Sequence, residues 1–293
     1  MSRFLDPKII MAVKDLNLMA KTTVDGFLTG LNKSLLRGPG MEFSQYRSYQ
    51  PGDDLRSLDW KMFARSDRYY IRDSEIETSI SVRLMIDASA SMDHRDGAFT
   101  KFDYARYLLA SFAWLAILQG DSTGLYVMKD QVHTLEPKQS YQQLSRLLHQ
   151  LEREEPGGRF TEPVKYRNIF AGSPRRELLI FATDLYQQKE ELYRMLDWLA
   201  AMRHEILVFH IMGRNELEMD YSGYGSFRDL ETGTVIQADR SGLAAYRERL
   251  SRYLRDTRTA CLNRNISYRM LSMDQPLDQA LRDFLNQRTK LSN

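Results

Sequence analysis

Asp87, Ser89 and Ser91 follow directly on the mostly apolar run Val82 to Ile86, at spacing i, i+2, i+4. An apolar run of that length closed by small polar residues predicts a buried strand. In open parallel sheets, ligands bind just beyond the carboxyl ends of strands. One carboxylate and two hydroxyls would there share a small volume, and hard oxygens of this kind suit a Mg²⁺-like ion. The same residues also fit a strand-to-helix turn in which Asp and Ser serve backbone amides.

A second apolar run, Leu178 to Ala182, ends in Thr183-Asp184. If the two strands are neighbours across a topological switch point, Asp87 and Asp184 converge on one crevice. Two carboxylates facing each other without a cation repel, so one takes up a proton or both share a metal. Thr161, beyond the Gly157-Gly158 bend, lies in a loop that can reach the crevice, and it reads equally as a turn or cap residue. Other chemistry lacks its pattern. The five His residues show no His-Glu-x-x-His spacing, no Gly-x-Ser-x-Gly elbow precedes a helix, and Gly30 to Ser34 lacks the spacing of a phosphate loop.

The elements that must position these residues alternate from Ile80 onward. Strand Ile80–Ile86 and a loop Met92–Phe99 precede a helix that Thr100 can cap, with Asp103 in its first turn. Strands Thr123–Met128 and Gln131–Leu135, helix Tyr141–Glu154, strand Glu177–Ala182, helix Glu190–Met202 and strand Glu205–Met212 follow. A hairpin insertion over Phe227–Ala238, a long helix Leu243–Asn263, strand Ile266–Leu271 and helix Leu277–Gln287 complete the order. This alternation predicts a doubly wound, mostly parallel α/β sheet. Ahead of it, residues 8–36 read as helical, and Glu42–Tyr49 and Tyr69–Glu77 as short strands flanking a turn-rich, charged stretch with a short helix at Ser57–Ala64. Residues 1–79 are therefore expected to form a small helical and β-rich appendage, and residues 80–293 the α/β domain, with its insertion near 215–240.

Composition narrows the setting. The 293 residues, 43% hydrophobic and 27% charged, have an ordinary globular balance and a net charge of only +2, so no nucleic-acid footprint is expected. The single Cys261 excludes an internal disulfide framework and fits a reducing compartment. The most apolar helix candidate, Tyr107 to Leu118, is too short for the roughly 20 residues of a membrane span. The start Met1 to Asp6 lacks the apolar core of a signal peptide. A cytoplasmic chain without membrane insertion is the expectation.

The order Asp-x-Ser-x-Ser, a mid-chain Thr and a later Thr-Asp resembles the metal-ion-dependent adhesion site of von Willebrand factor A domains. More narrowly, the stretch Arg47 to Trp60, with Tyr49-Gln50-Pro51-Gly52-Asp53-Asp54-Leu55-Arg56, resembles the hallmark of the bacterial "domain of unknown function 58" family. Ala64-Arg65, Glu75, Glu77, Gly157-Gly158 and Asp229 to Gly233 continue the pattern. The resemblance implies a von Willebrand factor A-like fold and a non-catalytic adaptor or chaperone-like role beside a MoxR-type AAA+ ATPase. It further implies that Asp87, Ser89, Ser91, Thr161 and Asp184 hold Mg²⁺, Mn²⁺ or Ca²⁺. A partner's acidic residue would complete the ion's shell. Leu185 stands where Gly is common, and Glu162 where many relatives have Asp. The alternatives are a metal-free scaffold and a Mg²⁺-dependent phosphatase working through an aspartyl-phosphate. The phosphatase needs a second acid two residues after Asp87, where Ser89 stands, and a lysine for which the spacing holds no signal.

Overall fold

A computed structural model describes residues 15–30, 45–50, 58, 60–66, 68–73, 79–160, 176–187, 189–202, 204–218, 226–228, 230, 233, 235–237 and 240–282. Twelve strands run in chain order: β1 Gln45–Ser48, β2 Tyr70–Asp73, β3 Ser81–Asp87, β4 Arg95–Asp96, β5 Phe99–Thr100, β6 Ser122–Met128, β7 Val132–Lys138, β8 Leu178–Thr183, β9 Glu205–Met212, β10 Ser226–Arg228, β11 Val235–Gln237 and β12 Ser267–Ser272. The helices are α1 Leu16–Gly30, α2 Trp60–Ser66, α3 Lys101–Leu118, α4 Tyr141–Arg153, α5 Lys189–Ala201, α6 Arg214–Glu218 and α7 Arg240–Leu262. Residues 277–282 are also helical.

Six strands form one sheet in the order β12-β9-β8-β3-β6-β7. All neighbours in it are parallel except β6 and β7, which form an antiparallel pair at one edge. The chain moves outward from β3 through β6 to β7, then returns to β8 on the other side of β3 and moves outward again. The carboxyl ends of β3 and β8 therefore flank the switch point, as the two apolar runs predict.

Alternation along the strands sorts side chains onto two faces. Leu84 and Ile86 of β3, with Leu125, Val127, Ile180, Ala182 and Phe209, join α3, α4 and α1 in one core. Met85, with Tyr126, Leu179, Phe181 and Val208, joins α5 and the end of α7 in the other. Helices thus cover both faces, which is why the central strands read as nearly continuous apolar runs. The short apolar stretch Tyr107 to Leu118 is the packed body of α3. No helix among the described residues is long and apolar enough to cross a membrane.

Local signals set the helix starts. Thr100 and Asp103 exchange backbone N–H bonds in a capping box at the head of α3, both at 3.0 Å. Ser140 accepts from Gln143 N–H at 3.0 Å to start α4. Asp15 accepts from Leu18 N–H at 2.9 Å at the head of α1. Helix α1 buries Leu16, Met19, Val24 and Phe27 in the α3 core, and its Asn17 accepts from Trp114 Nε1 at 3.0 Å. The boundary expected at residue 79 thus has a shared hydrophobic core on both sides of it. Each of those buried side chains contributes about 1.5–3 kcal/mol, enough to hold α1 against α3.

The expected short strands pair as the antiparallel β1–β2, and the expected insertion pairs as the antiparallel β10–β11. The segment expected as a plain loop over Met92–Phe99 is more ordered: a 3₁₀ turn spans Ala90–Asp93, and β4 pairs with β5. The charged residues Asp53, Asp54, Arg56 and Asp59 lie outside the described residues.

Candidate functional site

Asp87 is the last residue of β3, and the chain turns sharply after it. Ala88 N–H donates to Met128 O at 2.9 Å, which ties the turn to the end of β6. Gly157 N–H donates to Ala88 O at 2.8 Å, and Ala90 N–H to Gly158 O at 3.0 Å. The Gly157-Gly158 bend therefore lies directly against the Asp87 turn. Gly158 has φ +68°, and a Cβ there would meet Asp130 Oδ2 at 2.1 Å, so glycine alone fits this approach. Thr161 lies three positions on, outside the described residues.

Within the turn the oxygens lie close together, each serine hydroxyl bonded to one carboxylate. Asp87 Oδ1 accepts from Ser89 N–H at 2.9 Å and from Ser89 Oγ at 2.7 Å. Ser89 Oγ lies 3.1 Å from Ser91 Oγ, and Ser91 Oγ donates to Asp184 Oδ1 at 3.1 Å. Asp87 Oδ2 accepts from Thr183 Oγ1 at 2.7 Å, a bond across the β3–β8 seam. Four of the five expected site residues, Asp87, Ser89, Ser91 and Asp184, are thus brought together, and all four are buried. Burial and the Asp184 charge push the Asp87 carboxyl up to about 7.

Leu185 holds the far side. It sits in the left-handed region at φ +51°, a conformation that costs a leucine about 1–3 kcal/mol. Its N–H donates to Thr183 Oγ1 at 3.0 Å, its carbonyl accepts from Tyr253 Oη, and its side chain is buried in the second core. These contacts offset the strain, so the backbone follows the path a glycine would take while the leucine packs.

A cation that the motifs do not announce completes the cluster. Lys101, the first residue of α3, is only 3% exposed. Its Nζ donates to Asp184 Oδ2 at 3.1 Å and to Glu216 Oε1 at 2.8 Å, and the two carboxylates raise its pKa against the opposing effect of burial. Glu216, on α6, also accepts from Gly213 N–H at 2.8 Å. His94 lies 3.8 Å from Glu216 and 3.0 Å from Asn215 Oδ1. Lys101 is marked in the sequence only by its place one residue after the cap Thr100, and Glu216 by its place shortly after the strongly apolar β9.

His204 and His210 serve the fold. His204 Nδ1 accepts from Glu177 N–H at 3.2 Å. His210 is fully buried with Nδ1 2.7 Å from Tyr268 Oη, and burial pushes its pKa down to about 4, so it stays neutral.

Among the described residues, no group of three His, Cys, Asp or Glu forms a metal site. The donor set at the switch point is of a different kind: two carboxylates joined by two hydroxyls, all hard oxygens. Two carboxylates, Asp184 and Glu216, hold the Lys101 ammonium, and Asp87 lies close enough to Asp184 to feel its charge. Burial and the Asp184 charge raise the Asp87 carboxyl, and a divalent cation between the two carboxylates would relieve that cost. The residues fit such an ion.

Comparison with known proteins came to the following. The profile of the family described as "Protein of unknown function DUF58" matches residues 45–260. An uncharacterized protein of Mycobacterium tuberculosis (strain ATCC 25618 / H37Rv) is 28% identical over 234 residues, 78% of this chain and 73% of that protein. An uncharacterized protein of Mycobacterium bovis is similar to the same extent, 28% over 234 residues, with the same 78% and 73% coverage. Among solved structures, the conserved hypothetical protein BatB of Bacteroides thetaiotaomicron is 15% identical with a TM-score of 0.48, covering 72% of this chain and 100% of that one. An aerotolerance-related membrane protein of Bacteroides fragilis is 14% identical, also with a TM-score of 0.48, covering 71% of this chain and 100% of that one.

Proposed function

Because the chain belongs to the DUF58 family, and because its switch-point crevice carries this oxygen cluster, we propose that it is a non-catalytic, divalent-metal-dependent protein-binding module. In this reading it has a von Willebrand factor A-like fold and works in the cytoplasm as an adaptor or chaperone-like factor with a MoxR-type AAA+ ATPase. The observation that carries the reading is the clustering of the Asp87, Ser89, Ser91 and Asp184 oxygens at the carboxyl ends of β3 and β8, with the two serine hydroxyls 3.1 Å apart and each bonded to one carboxylate. Asp87, Ser89, Ser91 and Asp184 would hold Mg²⁺, Mn²⁺ or Ca²⁺, with Thr161 as a further donor. A bound ion would supply a Lewis-acidic position for the carboxylate of a partner's Asp or Glu.

The protein's own residues set the terms of such binding. Neutral hydroxyls make up half of the four-residue set, which leaves a bound cation electron-poor toward an external carboxylate. The Thr183 hydroxyl and the Ser89 amide hold Asp87 in a fixed orientation. Ser91, 6% exposed, is the most accessible of the four.

The test is capture of a MoxR-type ATPase by the full chain in Mg²⁺ and in EDTA, beside Asp87→Ala. Retention in Mg²⁺ that is lost in EDTA and in the variant supports the reading; capture indifferent to both sinks it.

One observation favours a second reading, a Mg²⁺-dependent phosphatase: Lys101 supplies the buried ammonium that its chemistry needs. Against it, the second acid that such chemistry needs two residues after Asp87 is absent, since Ser89 stands there and its hydroxyl is bonded to Asp87 Oδ1. Hydrolysis of a generic aryl phosphate, lost in Asp87→Asn, would move this reading to first place.

A further inference from the structure

We propose that Lys101 is a resident cation of the switch-point site, one that holds Asp184 in place without a metal and sets how tightly a divalent ion binds. This rests on the ion-binding reading above and gives that site an internal control.

The two oxygens of Asp184 are divided between two roles. Oδ1 accepts from Ser91 Oγ at 3.1 Å and from Tyr186 N–H at 3.2 Å, on the hydroxyl side of the cluster. Oδ2 faces Lys101 Nζ at 3.1 Å. The ammonium cannot swing away, because Glu216 holds it from the opposite side at 2.8 Å. Glu216 is itself fixed by Gly213 N–H, where the chain leaves β9. The aliphatic stem of Lys101 is buried at the head of α3, whose start the Thr100–Asp103 capping box fixes. Lys101 therefore joins three separate elements at one end of the sheet: the start of α3, the end of β8 and the helix after β9.

Charge gives this position its consequence. A buried carboxylate without a partner is costly, and Asp184 is buried. Lys101 supplies that partner permanently, so the crevice keeps its shape when no ion is present. The same unit of positive charge opposes an arriving dication, and in a buried site such opposition changes affinity by roughly tenfold or more. Binding becomes weak and readily reversed, as a site completed by a partner's carboxylate requires.

The experiment is calorimetric titration of the full chain with MnCl₂, beside thermal unfolding in EDTA and in saturating Mn²⁺. Wild type and Lys101→Met are compared. The expected result is a dissociation constant lower in Lys101→Met by roughly tenfold, an unfolding midpoint lower in EDTA, and recovery of that midpoint by Mn²⁺. Binding by the variant alone, with wild type too weak to detect, supports the proposal equally. Unchanged or weaker Mn²⁺ binding in the variant, with a midpoint that Mn²⁺ does not restore, assigns Lys101 a purely structural role and overturns it. If neither protein binds Mn²⁺, the ion-site reading itself fails, and this proposal falls with it. Should Lys101→Met not fold, Glu216→Gln takes its place: it leaves Lys101 wholly to Asp184, and Mn²⁺ binding must weaken. Unchanged binding in Glu216→Gln overturns the proposal.

Discussion

The two ends of strands β3 and β8 both bury charge, and they do it differently. At the amino end, Arg83 of β3 meets Glu177, just ahead of β8, through Nε to Oε2 and through Nη2 to Oε1 at 3.2 Å. Its Nη1 donates to Tyr126 Oη, and its guanidinium lies 5.1 Å from the Tyr126 ring centroid. One buried cation thus answers one buried anion in a two-pronged pair. At the carboxyl end, four residues or about 13 Å further along β3, Asp184 and Glu216 share a single ammonium, and Asp87 lies within reach of the Asp184 charge. The amino end is closed around this pair, with Glu136 3.5 Å from Arg83 Nη1 and His204 Nε2 3.9 Å from Glu177. The carboxyl end is left short of positive charge and bridged by hydroxyls, which can rotate to serve another partner. The first arrangement serves the fold alone, and the second is the one on which the ion-binding proposal rests.

Arg83→Met tests the amino end and has the largest expected effect. Stranding Glu177 in the core should cost about 3–5 kcal/mol, read as a fall in the urea midpoint. Adding Mg²⁺ or Mn²⁺ should restore none of it. A small loss, or one that ions repair, would erase the contrast between the two ends.

At the other end, a divalent ion at about 100 times its dissociation constant should stabilise the wild type by about 2.7 kcal/mol. Asp87→Asn should abolish that gain while leaving the ion-free protein folded, since the Thr183 hydroxyl can turn to accept from the new amide. Thermal unfolding with and without EDTA measures both. A retained ion shift would remove Asp87 from the site.

The raised Asp87 carboxyl gives a pH signature to the same end. Its unfolded value is near 3.8 and its folded value about 7. Between these the folded protein holds a proton that the unfolded chain has released. Stability of the ion-free protein should therefore fall as pH rises from about 4 to about 7, with the contribution fully present below that window and gone above it. Asp87→Asn should flatten this slope in EDTA. A slope unchanged by the substitution would assign the pH dependence elsewhere.

The smallest expected effect is at Thr100. Thr100→Ala removes the cap of α3 and should cost about 1 kcal/mol, with ion stabilisation of the wild-type sign retained. Loss of the ion response as well would mean that the cap places Lys101 more tightly than the two carboxylates do.

Strand ends were the most legible feature of the sequence, because burial on both faces demands apolar runs and their termination is abrupt. Asp87 and Asp184 could be paired in advance for that reason: each closes such a run. Arg83 left a trace too. A charge inside a buried strand must find a partner, and Glu177 stands at the head of the other run. Lys101 left only its place after the cap Thr100, since a lysine opening a helix reads as a solvent-facing residue until the neighbouring strand ends are in place. Glu216 is hidden in the same way, lying on a five-residue helix too short to show periodicity. The membership of α1 in the main core depends on how helices stack, which spacing along one helix does not reveal.

The separation of the site residues along the chain has a kinetic consequence. Ser91 and Asp184 are 93 positions apart, and Lys101 and Glu216 are 115 apart. Contacts of such long range close late, after the entropy of bringing distant segments together has been met. The first half of the chain can form β3, α3 and β6 with the Asp-x-Ser-x-Ser turn already folded, yet the turn then faces no second carboxylate. Only when β8 docks along β3 and β9 follows does the crevice exist. A partner that recognises it would thereby distinguish finished molecules from those still folding.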